Sequence, residues 1–335
     1  MRSDGGEVIR LEASSLSRDP ARAEANEDAF VVLPGRAYAV IDGVSDRTGT
    51  RYDGELSGRH AARLVAATLE RLLLGAAPPV ETIVPTLTAA LHEAYLRHGT
   101  LAAAQDSWGN RLCCTLALVL HDGPRLHLVL VGDSGIRLDG RQVLQMDKDL
   151  DYITATLRSH AWHRVADPDP AVRDRVARQV SWKGLGQDSS VFAPDFSRAD
   201  IAAIGDAAEA ELVAALPHVP RADIVHLLNR GIVGGQGDYQ NTADSVLGYA
   251  CLDGFAVPRS LMQVSTIEVR GVETVELFTD GYFDVGAEAT LASWEARHEE
   301  VELEDPAKVG RFRSTKGSVP GRWSDDRTYV GVRLR

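Results

Sequence analysis

Apolar runs of strand length occur in closely spaced pairs along this chain, and that pairing restricts the fold more than any other feature. Residues 29–33 and 37–41 are separated by Pro34-Gly35, and residues 112–120 and 126–131 by His121-Asp122-Gly123-Pro124. Two such runs joined by a short turn segment read as a β-hairpin, because antiparallel neighbours need only a tight connection. Strand character returns at residues 264–269, 275–278 and 328–334. Between the hairpins the apolar spacing becomes helical. Residues 54–74 place Leu64, Val65, Leu69, Leu72 and Leu73 on or near one face, and residues 81–104 do the same with Ile83, Val84, Leu87, Leu91 and Tyr95. Paired strands with helices grouped between them predict an α+β fold of antiparallel sheets rather than a βαβ array. From 151 to 264 the pattern loosens into helical pieces such as 207–216 and a glycine-rich loop around 231–237, read as an elaboration on the core.

Composition narrows the class of function. With 335 residues, 44% hydrophobic and 25% charged, the chain can bury a substantial core. A formal net charge of −12 argues against a nucleic-acid surface, which would need clustered Lys and Arg. No apolar run approaches the ~20 residues of a membrane span, and Asp4 and Glu7 stand where a signal peptide would be apolar. A cytoplasmic protein is expected. Cys113 and Cys114 sit inside an apolar run, as small core residues rather than a disulfide framework or a zinc site.

The acidic residues fall at particular strand ends. Glu27 and Asp28 immediately precede the first strand of one hairpin and Asp42 follows its second, so the turn returns all three to one sheet edge. The second hairpin ends in Gly132-Asp133-Ser134, beside an outgoing strand that starts at Trp108-Gly109-Asn110. Residues 275–278 deliver Thr279-Asp280-Gly281, and Asp325-Asp326 opens the last strand. Asp and Gly are common turn formers, and any one of these pairs could be that alone. Several carboxylates collected at one edge repel unless a cation joins them, and hard oxygen ligands favour Mg²⁺ or Mn²⁺. Glycine after Asp42 permits close backbone approach, so the Gly43 carbonyl is a further candidate ligand.

These residues resemble the metal-dependent protein phosphatases of the PPM, or PP2C, family. Asn26-Glu27-Asp28-Ala29-Phe30 resembles its acidic motif, and Ile41-Asp42-Gly43-Val44-Ser45 its first Asp-Gly motif. Cys114-Thr115 is similar to its glycine-threonine strand, and Gly132-Asp133-Ser134 to its Gly-Asp-Ser motif. Phe278-Thr279-Asp280-Gly281 resembles its second Asp-Gly motif, and Asp325-Asp326-Arg327-Thr328 its terminal Asp-Asn-x-Thr. The resemblance implies a single phosphatase domain over residues 1–335, folded as a β-sandwich of two antiparallel sheets flanked by helices, with 151–264 divergent. It implies phosphate monoester hydrolysis, most naturally of phosphoserine and phosphothreonine on proteins, by a metal-activated water with no covalent phosphoenzyme. Asp42 would bridge two ions, Asp280 and Asp325 would complete one, and Glu27 with the Gly43 carbonyl would serve the other. Asp133 would hold a third ion with Asp280. Asp28 and Asp326 would lie behind these ligands.

The chain also departs from the family pattern. The position where members often carry a phosphate-gripping arginine is Ala23, leaving Arg22 or Arg111 as candidate substrate cations. Gly135 stands where arginine often follows Gly-Asp-Ser, and Val44 where eukaryotic members carry a histidine proposed as general acid. These departures keep two alternatives open: a phosphatase for a small phosphorylated metabolite, and a non-catalytic binding module on the same fold. Gly132-Asp133-Ser134-Gly135 also resembles the nucleophile motif of trypsin-like proteases, but Ile136-Arg137 breaks it. Gly235-Gln236-Gly237 lacks the third glycine of a dinucleotide fingerprint. His160 and His163, at i and i+3, lack an evident partner at ligand spacing.

Overall fold

The computed structural model describes residues 10–75, 78–146 and 148–334. The stretch containing Asp4 and Glu7 lies outside them. In chain order the elements of the N-terminal half are β1 (Arg10–Leu16), β2 (Ala29–Leu33), β3 (Ala37–Ile41), β4 (Arg51–Tyr52), β5 (Glu55–Leu56), α1 (Ser57–Leu74), α2 (Val80–His98), α3 (Leu101–Asp106), β6 (Leu116–Asp122), β7 (Arg125–Val131), β8 (Gly135–Leu138) and β9 (Gln142–Leu144). Four helices follow, α4 (Asp149–Arg164), α5 (Pro170–Lys183), α6 (Arg198–Ala215) and α7 (Arg221–Gly235). The chain then closes with β10 (Gln263–Glu268), β11 (Thr274–Phe278), α8 (Leu291–Glu304) and β12 (Arg327–Arg333).

The strands form two five-stranded antiparallel sheets, ordered β1-β12-β11-β8-β9 and β10-β7-β6-β3-β2, plus the small β4-β5 hairpin. Side-chain alternation explains how the sheets layer. Along β3, Tyr38 and Val40 point into a cluster with Ala117, Val119, Val275 and Val330, which fills the space between the sheets. Ala37, Ala39 and Ile41 point the other way, against Val65, Leu69, Leu87 and Leu91 of α1 and α2. Both faces of β3 and β6 are therefore buried, which is why these strands are continuous apolar runs. On the outer face of the first sheet, Phe278 and Tyr329 pack on Trp294 of α8. The layers run helices, sheet, sheet, helix.

Residues 149–235 form four helices with their own buried cluster, including Ile153, Leu157, Val180, Ile204, Leu212 and Leu227. The local signals are clear. Asp169 caps α5 ahead of Pro170, and Ser197 with Asp200 makes a capping box on α6. The expected glycine-rich loop at 231–237 is instead the end of α7, kinked at Gly231 (φ 60°), followed by a short 3-10 turn. The kink is a packing device. A Cβ on Gly231 would lie 2.4 Å from the Gly184 amide nitrogen and 2.7 Å from the Ser181 carbonyl, so only glycine allows this crossing at the end of α5.

Three further differences have local causes. The expected helix at 81–104 divides at Gly99, whose left-handed φ of 67° ends α2 before α3 begins. The strand expected from 112 begins at Leu116, and Trp108–Asn110 is a 3-10 turn. The strand β8, absent from the sequence reading, carries Arg137. That guanidinium is fully buried, donating to Glu276 at 2.6 and 2.7 Å while Trp294 donates to the same carboxylate at 2.7 Å. Cys113, Cys114 and Cys251 are buried and free. Among the described residues no helix is long and apolar enough to cross a membrane.

Candidate active site

Strand register brings the acidic residues to one end of the sandwich. Ala29 pairs with Ile41, so Glu27 and Asp28 enter where Asp42 leaves. In the other sheet Phe278 pairs with Tyr329, so Asp280 leaves β11 where Asp325 and Asp326 enter β12. Val131 pairs with Leu116, and the Thr115 amide donates to the Asp42 carbonyl at 2.8 Å, which brings Asp133 to the same place. Carboxylate oxygens of Asp42, Asp133 and Asp280 lie within 4.8 Å of one another. They line a cleft of about 580 Å³ together with Gly43, Asp325 and the cations Arg47, Lys148, Arg313 and Lys316.

Close backbone packing holds this edge together. A Cβ on Gly43 would lie 2.4 Å from the Gly58 carbonyl oxygen and 2.5 Å from that of Glu27, and one on Gly58 2.3 Å from the Val44 carbonyl oxygen. Two glycines thus let the first turn of α1 sit directly on the loop after β3. Asp326 acts as a clamp, accepting from the Arg18 amide at 2.7 Å and the Glu27 amide at 2.8 Å. Asp28 is held from behind, its Oδ2 accepting from Thr279 and Thr328 hydroxyls, both at 2.8 Å.

The electrostatics call for a cation. Burial holds Asp42 and Asp280 well above the usual carboxylate range; Asp28, Asp133 and Asp325 push Asp42 further, and Asp42, Asp133 and Asp325 push Asp280. Asp28 is raised well above its ordinary value by burial and then by Asp326, against its two threonine hydrogen bonds. Glu27 is raised by burial, with Lys316 and the Ser45 hydroxyl opposing. Among the described residues, Glu27 Oε1, Asp28 Oδ1 and Asp133 Oδ1 are buried without a hydrogen-bond partner. Leaving such oxygens unmatched is costly, and an all-oxygen set of this kind fits a hard divalent cation.

Two ammonium groups border the cluster. Lys148 Nζ lies 2.6 Å from Asp133 and 3.2 Å from Asp151. Lys316 Nζ lies 2.8 Å from Asp325 and donates to Ser45 Oγ at 3.3 Å, while Ser45 donates to Glu27 at 2.9 Å. Burial pulls both lysines down, but Asp133 and Asp151 lift Lys148 well above its ordinary value and Asp325 lifts Lys316. Sequence reasoning missed both, since neither lies in a motif. Lys316 is presented by a loop anchored from behind by buried Arg158, which donates to the carbonyls of Ala307, Lys308 and Ser314 and to Asp174 at 2.6 Å.

The two arginines nominated from sequence lie elsewhere. Arg111 pairs with Asp253 at 2.8 Å and covers the Phe255 ring, while Arg22 is exposed beside Glu24; neither lines the cleft. Their sequence proximity to the edge does not carry their side chains into it. His160 pairs with Glu211 at 2.9 Å, within the helical block.

A protein-family comparison matches residues 21–308 to the model described as protein phosphatase 2C. No curated protein matches the chain by sequence. Similar solved structures include the serine/threonine phosphatase PstP/Ppp of Mycobacterium tuberculosis, with 19% identity over 98% of this chain and 100% of that chain and a TM-score of 0.49. Stp1 of Staphylococcus aureus shares 11% identity over 100% and 98%, with a TM-score of 0.46. The catalytic domain of PstP, in a structure containing two manganese ions, shares 20% identity over 97% of each chain, with a TM-score of 0.44. Since the family model spans most of the chain, including the strand ends that deliver Glu27, Asp42, Asp133 and Asp280, the chain belongs to the protein phosphatase 2C family.

Proposed function

We propose that this protein is a divalent-metal-dependent phosphatase that hydrolyses phosphate monoesters, with phosphoserine and phosphothreonine on proteins as its substrate class. The observation that carries this reading is the convergence of Asp42, Asp133 and Asp280 at one cleft, with buried carboxylate oxygens left unmatched beside them. Asp42, Asp280, Asp325, Asp133 and Glu27, with the Gly43 carbonyl, would hold Mg²⁺ or Mn²⁺. Bound there, such ions supply a water of lowered pKa as nucleophile and offset charge on the phosphoryl oxygens.

The chain's own residues supply position and charge. Asp326 fixes the Glu27 backbone, and Ser45 orients its carboxylate. Lys148 and Lys316, in the cleft wall, would grip the incoming phosphate in place of Arg22 or Arg111. The helical block contributes Tyr152, Trp182, Ile232 and Gln236 to the same wall, so we assign residues 151–264 to substrate selection within one phosphatase domain. Buried free thiols and the absence of a membrane-crossing helix among the described residues support a cytoplasmic setting.

The test is hydrolysis of an aryl phosphate with Mn²⁺ and after exhaustive chelation, followed by phosphopeptides against sugar and nucleotide phosphates. Metal-dependent turnover with phosphopeptides preferred is expected. Full activity after chelation would overturn the metal assignment. Preference for a small phosphate would replace the protein substrate by a metabolite.

A further inference from the structure

A second cavity, of about 850 Å³, adjoins the catalytic cleft and shares Ser45, Trp182 and Lys316 with it. Besides Lys316 its wall carries Arg18, Arg175, Arg178, Lys183, Arg230 and Arg322, and among the described residues no aspartate or glutamate. Seven cations around one groove run against the net charge of −12. Lys316 pairs with Asp325 at 2.8 Å and the Arg18 charge favours the Asp326 and Glu27 carboxylates, but little inside the protein balances the other five. Arg178 lies 3.6 Å from Asp174, but that carboxylate already pairs with Arg158 at 2.6 Å. Arg230 donates to the Gly234 carbonyl at 2.8 Å. Arg175, Lys183 and Arg322 form no ion pair with a described residue. Arg178 is pulled down from its ordinary value by burial and, in the same direction, by Arg322 and Arg18, so these guanidinium groups repel one another.

The cations come from four separate segments: the loop after β1, α5, α7 and the loop before β12. Trp182, Val191 and Val233 line the same cavity, so its wall combines the cations with apolar surface, and its volume of about 850 Å³ exceeds what a single phosphate needs. The Trp182 indole N–H, at the junction of groove and cleft, is buried without an acceptor. An extended peptide advances about 3.3 Å per residue and sends side chains to alternate faces, so a short acidic segment can present several carboxylates to a cavity of this size. We propose that this groove binds an acidic segment flanking the phosphorylated residue of a protein substrate, with the phosphate in the cleft and Asp or Glu side chains against the arginines.

This proposal rests on the phosphatase reading, and the experiment separates the two. Rates are measured with Mn²⁺ for phosphopeptides with acidic or neutral flanks and for an aryl phosphate, in wild type and in the Arg175→Glu/Arg322→Glu double variant, neither position lining the catalytic cleft. Wild type should prefer acidic flanks, and the preference should shrink with added salt. The double variant should lose roughly tenfold in kcat/KM on the acidic peptide and keep its aryl phosphate rate. Equal rates on both peptides, or an equal loss on all three substrates, would overturn the groove assignment while leaving the phosphatase standing. If wild type hydrolyses nothing, the phosphatase reading fails. Fluorescence anisotropy with a labelled unphosphorylated acidic peptide then decides the groove alone: binding abolished in the double variant supports it, and unchanged binding or a preference for nucleic acid refutes it.

A different observation carries a second site. Asp53, in the turn between β4 and β5, His60 of α1 and His98 at the end of α2 place ligand atoms within 4.8 Å of one another. Asp53 Oδ2 lies 3.6 Å from His98 Nε2, and the Nε2 atoms of His60 and His98 are both buried without a hydrogen-bond partner. Asp53 has a turn role in any case, with left-handed φ values of 50° there and 85° at Gly54, and Tyr52 stacks on His60 at 5.4 Å. Neither fact satisfies the two imidazole nitrogens. Ligand atoms of a tetrahedral zinc site stand roughly 3.3 Å apart, so modest contraction would close this one. The geometry points to a transition-metal site of Zn²⁺ type, chosen over Mg²⁺ or Mn²⁺ by its imidazoles, with exposed Asp53 as the way in. With the carboxylate cluster first loaded with Mn²⁺, calorimetric titration with Zn²⁺ and the visible bands of bound Co²⁺ should show one further site in wild type that disappears in His98→Ala while Mn²⁺ binding persists. Identical Zn²⁺ stoichiometry and Co²⁺ spectra in the two proteins would refute it.

Discussion

Asp280→Asn exposes the conflict built into the carboxylate cluster, because its effect should reverse sign with metal. Without metal, and at pH above their raised pKa values where both are ionised, Asp42 and Asp280 repel. Unit charges 4.8 Å apart interact by about 3.5 kcal/mol at an effective dielectric near 20. Lys148 and Lys316 offset part of the cluster's charge, so removing the Asp280 charge should stabilise the chelated protein by about 2 kcal/mol, or roughly 3 °C in melting temperature for a chain of this length. The pH dependence follows from the direction of the shifts. Asp28, Asp42 and Asp280 have pKa values raised in the folded state, so the native form holds protons that the unfolded chain has released. The stability these three groups contribute to the chelated wild type is therefore fully present below the ordinary carboxylate pKa and is lost as pH rises through the raised values. Asp280→Asn should show a shallower slope. With Mn²⁺ at a hundred times its dissociation constant, wild type should gain about 2.7 kcal/mol by mass action, and the variant much less, with turnover lost. Calorimetric melting at several pH values, with chelator and with Mn²⁺, reads all of this. A variant no more stable than wild type in chelator, or a wild type indifferent to Mn²⁺, would refute the electrostatic account.

Lys316→Met should raise KM for aryl phosphate about tenfold, as a charged hydrogen bond to phosphate is lost, while tightening Mn²⁺ binding by freeing Asp325; steady-state kinetics with calorimetry checks both, and an unchanged KM would remove Lys316 from substrate binding. Gly58→Ala forces a Cβ to 2.3 Å from the Val44 carbonyl oxygen and should cost about 1–3 kcal/mol of stability together with weaker Mn²⁺ binding, measured by denaturant unfolding and titration. Arg158→Leu leaves Asp174 short of its closest partner and frees the loop that carries Lys316; a loss of about 3–5 kcal/mol is expected by urea melt, and a loss under 1 kcal/mol would contradict the anchoring role.

Much of the sandwich was legible because its central strands β3, β6, β11 and β12 are buried on both faces over most of their length, so that β3 and β6 appear as apolar runs. The Ala29–Leu33 and Ala37–Ile41 hairpin falls where the pattern placed it, and period-two geometry then obliges Glu27, Asp28 and Asp42 to share an edge. The edge strand β1 and the short strand β8 escaped notice because neither is an apolar run, although β8 is buried throughout. One is largely polar along an outer edge, and the other hides Arg137 behind a Glu276 partner 139 residues away. The site divides in the same way. Carboxylates at strand ends are fixed by local backbone direction, so sequence alone nominated the residues that converge. The lysines beside them, the basic groove and the His60–His98 pair arise from segments brought together only by packing of the helices and of the loop before β12. A long cationic side chain on a loop carries no periodic signal; where its charge lands is decided by tertiary structure, as Arg111 turning to Asp253 and Lys316 turning to Asp325 demonstrate.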